Sequence, residues 1–414
     1  MLPLLLSLAC HAPADTADFG PALPSLERVG DVAVLRVAGT AYEMGYAQGE
    51  LLHAELAEGA AWITDSELVV LEGLAEFYGL LDQARAESYP EVVEECQGIV
   101  DAFGDEEAWS LDRCLLLAYG DVAIERVSQS LGCTQLVAAG PASADGEVVH
   151  ARNLDWTEIG FIIDHPTLIV RHPDDGLPWV AFGFPGNVSP YNGMNAAGLA
   201  FASNEAYGTA EVLDHGYAHT QMARFALEHF ETLAEVRDYL DAQIHASAEI
   251  LTFSDGHARD AAVFELAVDA QAVRPLSADG VVYATNHFVD PATAAVHQEP
   301  SSGSHARYLR LQQLAEPDGA DSLYGQLDLA TGVRVLRDTY NPVQDVTYPP
   351  EQFDDGDTIA NNGAIQSLVM LPTSGRIYVA SGPVPVPQGG FTGFSLPWLF
   401  GEAEANDIDP AEVP

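Results

Sequence analysis

Hydrophobic periodicity changes at residue 133, and that change constrains the fold more than any other feature of the chain. From residue 41 to about residue 124 apolar side chains recur at helical spacing, which predicts four helices. In the first of these Gly45, Gly49, Leu52 and Leu56 share one face. The glycines predict close helix packing rather than a phosphate loop, because no Gly-Lys-Ser/Thr follows them. From residue 133 the period becomes two. Residues 133–139 and 148–152 flank a turn at Ala144-Asp145-Gly146, and residues 168–172 and 179–184 flank Asp174-Asp175-Gly176, so both pairs predict hairpins. Further strands are predicted at 32–37, 199–203, 250–253, 261–266 and 281–285, with helices at 217–230, 233–243 and 307–315. A last hairpin is predicted over 366–371 and 376–380. Runs apolar on both faces, such as 168–170 and 180–182, call for sheets covered on both sides. The expected fold is therefore α+β, a four-layer αββα sandwich of two packed sheets between helical layers, with no linker or internal repeat dividing it.

Charge and composition exclude one class of function. The chain has 16 basic residues, all Arg, against 62 acidic ones, a net charge of −46, so a polyanionic nucleic acid is not an expected partner. With 48% hydrophobic residues there is ample material for a large core, and the acidity belongs to a folded surface.

Residues 1–10, MLPLLLSLAC, carry an apolar run too short to span a bilayer but of the length of a secretory signal. Ser7-Leu8-Ala9-Cys10 resembles a bacterial lipobox with Cys10 as the lipidated residue, and residues 11–30 read as a tether. The expectation is an exported, membrane-anchored lipoprotein, periplasmic or on the cell surface, touching membrane only through that anchor. A frayed start is the alternative. Cys96 and Cys114 fall on consecutive helical patterns, 89–103 and 111–124, where export permits a disulfide and buried free thiols are the other reading.

Cys133 stands apart. It follows Gly132 at the start of a strand whose hairpin partner ends in Arg152-Asn153-Leu154-Asp155. A cut between Gly132 and Cys133 gives one residue both a thiol and an α-amine, and an amine of pKa near ~8 can act as base for its own thiol. The hairpin returns Arg152 and Asp155 to that end, where a guanidinium favours thiolate and a carboxylate favours ammonium. Taken alone, the same triplet also describes a strand-edge Cys beside a surface ion pair.

Gly132-Cys133-Thr134, Arg152-Asn153-Leu154-Asp155, Gly193-Met194-Asn195-Ala196-Ala197-Gly198-Leu199 and Thr285-Asn286-His287-Phe288 occur in this order. Together they resemble the cysteine N-terminal-nucleophile (Ntn) hydrolases. The nearest branch is the autoproteolytic penicillin acyltransferase (isopenicillin-N acyltransferase) family, with choloylglycine hydrolases and acid-ceramidase-like amidases more distant. The resemblance runs from about residue 39 to 382. It implies a helical α-chain or propeptide-like segment over 31–132 and a catalytic β-chain over 133–414, together one structural domain. It also implies self-cleavage between Gly132 and Cys133, with Cys133 as nucleophile and Arg152 and Asp155 supporting the thiolate and the amine. Asn286 is implied as oxyanion donor and Asn204 as a second donor. Arg307 matches an Arg of choloylglycine hydrolases, a surface Arg opening a helix being the other reading. Asn362 stands where the penicillin acyltransferase has an Arg.

His215 and His219 have a spacing that metal ligands use, but they lack a His-Glu-x-x-His motif and read as a helix-start pair. Neither metal nor cofactor is expected. The function expected is a self-processing Cys amidase or acyltransferase acting on a small-molecule N-acyl amide through a Cys133 thioester, with an acyl-donor thioester as a further partner. The alternatives are an amide hydrolase of bile-salt or N-acylethanolamine type, or a catalytically silent surface-binding lipoprotein.

Overall fold

The computed structural model describes residues 23–65, 68–127, 132–156, 160–349, 356–409 and 413. The signal segment and Cys10 lie outside them. Along the chain come β1 (Ser25–Val29), β2 (Val32–Gly39), α1 (Ala41–Leu51), α2 (His53–Asp65), α3 (Leu68–Phe77), α4 (Leu80–Glu87), α5 (Pro90–Phe103), α6 (Leu111–Ala118) and α7 (Gly120–Val127). Next are β3 (Gly132–Ala138), β4 (Val149–Asp155), α8 (Gly160–Asp164), β5 (Thr167–Pro173), β6 (Trp179–Gly183), β7 (Asn192–Asn195), β8 (Leu199–Glu205), α9 (His219–His229), α10 (Leu233–Asp241), β9 (Glu249–Asp255), β10 (Asp260–Leu266), β11 (Gln271–Pro275) and β12 (Val281–Ala284). The last part holds α11 (Pro291–Ala294), α12 (Ser302–Ala315), α13 (Leu329–Leu336), β13 (Tyr340–Asn341), β14 (Val346–Thr347), β15 (Ala364–Leu371), β16 (Arg376–Ser381), β17 (Gly390–Ser395) and α14 (Leu396–Leu399).

A nine-stranded sheet, in the order β1-β2-β5-β6-β7-β8-β9-β10-β11, lies on a six-stranded sheet, β12-β3-β4-β15-β16-β17. Strand alternation assigns the faces. Val34, Val170 and Phe182 of the first sheet pack against Leu368, Ile377 and Phe394 of the second, whereas Leu35, Ile169 and Phe201 point outward into the helices. On the opposite outer face Leu136 meets α12 and Val149 meets α13. The four layers of the expected αββα sandwich are all present.

Two expectations about the N-terminal part change. The helical stretch holds seven helices among the described residues rather than four. The separate starts of α5 and α6 were expected, with Pro90 opening the first and the Ser110 hydroxyl accepting from the Arg113 N–H at the second; the added breaks include turns at Leu52, between α1 and α2, and at Tyr119, between α6 and α7. Residues 25–29, expected as part of the tether, instead pair with β2 as an edge strand. The predicted close packing is present. A Cβ on Gly45 would lie 2.0 Å from the Glu95 carbonyl oxygen, and one on Gly98 would lie 2.2 Å from that of Tyr42, so α1 and α5 meet backbone to backbone. Cys96 and Cys114 form a disulfide between α5 and α6, which decides between the two readings left open.

This N-terminal part is built into the sandwich. β2 runs parallel to β5 in register from Ala33↔Thr167 to Gly39↔Pro173. Glu95 on α5 is fully buried and pairs at 2.7 Å with both Arg171 on β5 and Arg224 on α9. Removing one partner from such a buried network leaves an uncompensated charge, at a cost of about 3–5 kcal/mol.

Candidate active site

β3 sits between β12 and β4, with Gly132 opposite Asp155, Cys133 opposite Leu154 and Gln135 opposite Arg152. Alternation places Cys133, Gln135, Arg152 and Leu154 on the face toward the nine-stranded sheet, with Thr134, Asn153 and Asp155 on the face toward α12 and α13. Cys133 is 2% exposed and is the free cysteine among the described residues. Leu154, Phe161, Ile162, Phe184 and Ile365 pack with it on an apolar side. Gly132 is closely approached, since a Cβ there would lie 3.1 Å from Asp155 Oδ2 and 3.2 Å from Arg307 Nη2 and would press on both.

Arg152 is fully buried. Its Nη2 donates to the Ser203 carbonyl at 2.9 Å and lies 3.7 Å from Cys133 Sγ. Burial pushes the Cys133 thiol above its ordinary range. Arg152, the Asp155 main-chain N–H and Arg307 pull it down, while the Asp155 carboxylate pushes it up. The nearby His150 cannot serve as base for the sulfur. Its ring contacts Ser254 Oγ and Gln135 Oε1, and burial aided by Arg152 lowers its pKa to about 3.

The Cys133 main-chain N–H donates to Asn286 Oδ1 at 2.7 Å. Arg307 Nη2 donates to the same oxygen at 2.9 Å, which fixes the amide orientation, and Asn286 Nδ2 donates to the Glu205 carbonyl at 2.9 Å. Arg307 also donates to the Cys133 carbonyl, to Thr134 Oγ1 at 3.0 Å and to the Gly356 carbonyl at 2.9 Å. Asp155 Oδ2 lies 3.9 Å from Arg307 Nη1 and accepts from Asn361 Nδ2 at 2.7 Å. Around the bond between Gly132 and Cys133 the chain thus supplies a donor beside the sulfur, an acceptor for the nitrogen and a buried carboxylate held by Arg307 and Asn361.

The sequence-derived residues divide accordingly. Cys133, Arg152, Asp155 and Asn286 come together as the motifs implied. Arg307 joins them from the second turn of α12 and is 2% exposed, so the surface reading fails. Asn204, implied as a second oxyanion donor, has its amide engaged by the protein. Its Nδ2 donates to the Ala284 and Thr285 carbonyls at 3.2 and 3.0 Å, and its Oδ1 accepts from Gln135 at 2.6 Å. Both of its amide hydrogens tie β8 to the end of β12, which makes it a positioning residue for Asn286. Asn362 is exposed, and its neighbour Asn361 is the residue on Asp155. His219 opens α9, stacked on His245, while His215 lies before the helix on Asp214, so the two do not share a helical face. No group of three or more His, Cys, Asp or Glu among the described residues could hold a metal ion.

Two site residues escaped the sequence reading. Asn361 stands next to a residue that was singled out, and only the phase of the chain entering β15 tells which asparagine faces Asp155. Glu205, next to Asn204, points to the opposite face of β8, where Tyr207 hydrogen-bonds its carboxyl and burial holds that carboxyl well above the usual range. The available signal was strand period applied to Ser203-Asn204-Glu205.

No curated protein matches the chain. Among solved structures it is similar to a Caenorhabditis elegans N-acylethanolamine-hydrolyzing acid amidase ortholog, with 18% identity over 58% of this chain and 93% of that one and a TM-score of 0.40. It is also similar to a mutant of the conjugated bile acid hydrolase from Clostridium perfringens, with 13% identity, 67% and 95% coverage and a TM-score of 0.37. A third is penicillin V acylase from Agrobacterium tumefaciens, with 15% identity, 64% and 86% coverage and a TM-score of 0.38. A family model described as acyl-coenzyme A:6-aminopenicillanic acid acyl-transferase matches residues 142–382, a stretch that begins after Cys133 and contains Arg152, Asp155, Asn286, Arg307 and Asn361. Since that stretch is more than half of the sequence, the chain belongs to this acyl-transferase family.

Proposed function

We propose that the chain processes itself at Cys133 and then cleaves or transfers the acyl group of a small N-acyl amide through a thioester on that residue. The observation that carries the reading is the convergence of Arg152 Nη2 on the sulfur at 3.7 Å and of Asn286 Oδ1 on the Cys133 nitrogen at 2.7 Å. In self-processing the thiol gives up its proton and the sulfur attacks the Gly132 carbonyl carbon. The bond from that carbon to the Cys133 nitrogen breaks, the nitrogen gains a proton, and water then hydrolyses the thioester to a Gly132 carboxylate and a free thiol. The new α-amine stays where Asn286 Oδ1 accepts from it, with the Asp155 carboxylate beyond Arg307.

In turnover this amine takes the thiol proton and Arg152 stabilises the thiolate. The sulfur attacks the substrate carbonyl, and the leaving amine departs with the proton that the α-amine held. Asn286 Nδ2 has one hydrogen beyond that given to Glu205 and donates it to the oxyanion. Water or an acceptor amine then takes the acyl group from sulfur. Residues 1–10 supply export and the lipid anchor in this reading, and the Cys96–Cys114 disulfide suits an oxidising compartment. Intact mass and N-terminal sequencing of the purified chain test the proposal. The expected result is a fragment beginning at Cys133, absent from Cys133→Ala. A wild-type chain that stays whole on prolonged incubation, with Cys133 inert to thiol reagents, overturns it.

A further inference from the structure

Four buried carboxyl groups lie where α7 meets the ends of β8 and β9, and they are not equivalent. Glu125 accepts from the main-chain N–H groups of Gly208 at 3.1 Å and Ala248 at 2.6 Å. Asp121 accepts from the His219 N–H at 2.6 Å and lies 3.5 Å from His219 Nδ1. These two are saturated and dock α7. Glu205 and Glu249 are directly paired across β8 and β9, are 6% and 3% exposed, and face each other without such donors. Among the described residues Oε2 of Glu249 has no hydrogen-bond partner, and Glu205 takes a side-chain hydrogen bond from the uncharged Tyr207.

Glu249 is the member of the pair on the side of the nucleophile. Arg152 bridges Cys133 Sγ and the carbonyl of Ser203, two residues before Glu205 on the same face of β8, and Glu249 lies within electrostatic reach of both Arg152 and Cys133. Arg152 is itself fully buried with Nε and Nη1 unpartnered on the side of Glu249 and Tyr191. Charge balance separates the two halves of this space. Arg307 faces Asp155 and Arg152 is shared between Cys133 and Glu249, so the two carboxyl groups of Glu205 and Glu249 have one shared cation between them. Two desolvated carboxyl groups with few donors are costly and match a ligand that brings both charge and N–H groups. The opposite side of Cys133 is apolar, lined by Phe161, Phe184 and Ile365. A net charge of −46 also raises the local concentration of organic cations.

We propose that Glu205 and Glu249 bind an ammonium group carried by the amine half of the substrate, so that the amide cleaved at Cys133 is an N-acylated diamine with its acyl chain on the aromatic side. This rests on Cys133 being the nucleophile, and the test separates the two claims. Calorimetry of 1,4-diaminobutane with the processed full chain, in about 0.15 M NaCl to screen the acidic surface, is expected to show one saturable site. Glu205→Gln and Glu249→Gln are each expected to weaken it about tenfold or more. If a Gln variant fails to fold, Glu249→Asp keeps the charge and shortens its reach, and the same weakening is expected.

The second arm compares N-hexanoyl-1,4-diaminobutane with N-hexanoylpentylamine, in which a methyl group replaces the ammonium. The wild type is expected to favour the diamine amide by about tenfold in kcat/KM, and Glu249→Gln to bring the ratio near one. Absence of saturable diamine binding, binding unchanged in both Gln variants, or a wild-type preference for the pentyl amide overturns the proposal. Equal turnover of both amides overturns the subsite and leaves the amidase reading standing. Diamine binding lost in the variants, with neither amide cleaved and Cys133 unreactive, supports the subsite and overturns the amidase reading.

Discussion

Replacing Arg152 by Gln tests the electrostatic core of the site without any knowledge of the substrate. Arg152 Nη2 lies 3.7 Å from Cys133 Sγ. At an effective dielectric of about 20 a unit charge at that separation is worth roughly 4–5 kcal/mol to a thiolate, an upper bound of about three pKa units. Water entering the variant site and the carboxylates of Asp155 and Glu249 reduce this, so a rise of about one to three units is expected. The thiol already titrates above its ordinary range, so at pH 8 each further unit lowers the thiolate population, and hence its alkylation, by about tenfold.

The assay is the rate of Cys133 alkylation by iodoacetamide at fixed pH, read by intact mass in a Cys10→Ser background with the Cys96–Cys114 disulfide intact. Arg152→Gln is expected to slow alkylation by about 10- to 10³-fold, and Arg152→Lys to restore much of it, because Lys keeps the charge while losing the planar fork to Ser203. A merely structural role would make the Lys variant as slow as the Gln variant. If folded Arg152→Gln alkylates within about threefold of wild type, Arg152 does not hold the thiolate and the charge argument is wrong.

Asn286→Ala, assayed in protein already cleaved, is expected to lower kcat by about 10²-fold or more with a smaller effect on KM, and a change in KM alone would move the oxyanion role elsewhere. Asn361→Ala removes the 2.7 Å donor to Asp155 and is expected to cut turnover far more than Asn362→Ala at the neighbouring exposed position; equal effects would refute the assignment. Burial raises the Glu125 carboxyl from an ordinary 4.5 to about 7, so the folded state holds that proton more tightly than the unfolded chain. The resulting stability is fully present below pH 4.5 and is lost as pH rises through 7, with the gap worth at most about 3 kcal/mol. Glu125→Gln is expected to flatten the urea midpoint between those pH values, and parallel curves for variant and wild type would exclude Glu125 as the source.

What the sequence carried was periodicity and local chemistry. Alternation within residues 133–139 and 148–152 was enough to place Arg152 and Asp155 at the end of the hairpin that holds Cys133, because antiparallel register across one short connection is nearly fixed by which residues must be buried. The glycine face of α1 was legible for a similar reason, since residues without side chains on a helix stripe invite another backbone, and α5 fills that place. Helix number was less legible. The apolar pattern persists across the turns at Leu52 and Tyr119, so period alone merged α1 with α2 and α6 with α7.

Tertiary structure decided whatever depended on which of two adjacent residues faces the site, or on elements distant in sequence. Asn204 and Glu205 are neighbours, yet the pleat sends the first between the sheets to bond Gln135 and the second toward α7. Asn361 reaches Asp155 while Asn362 stays exposed. One residue of phase reverses each assignment, and phase in a buried strand is set by the sheet packed on it. Arg307 could be read from sequence as a surface residue because nothing local shows that α12 lies against β3. Its partners Cys133 and Asn286 are 174 and 21 residues away. The ionisation of Cys133, Glu205 and Glu249 was equally out of reach, because it depends on desolvation and on charges brought together by the packing of two sheets. Sequence determined the chemical groups available and the hairpin that joins the first three of them. The packing of the sandwich determined which groups lose water, which find partners and which two carboxyls lie buried side by side.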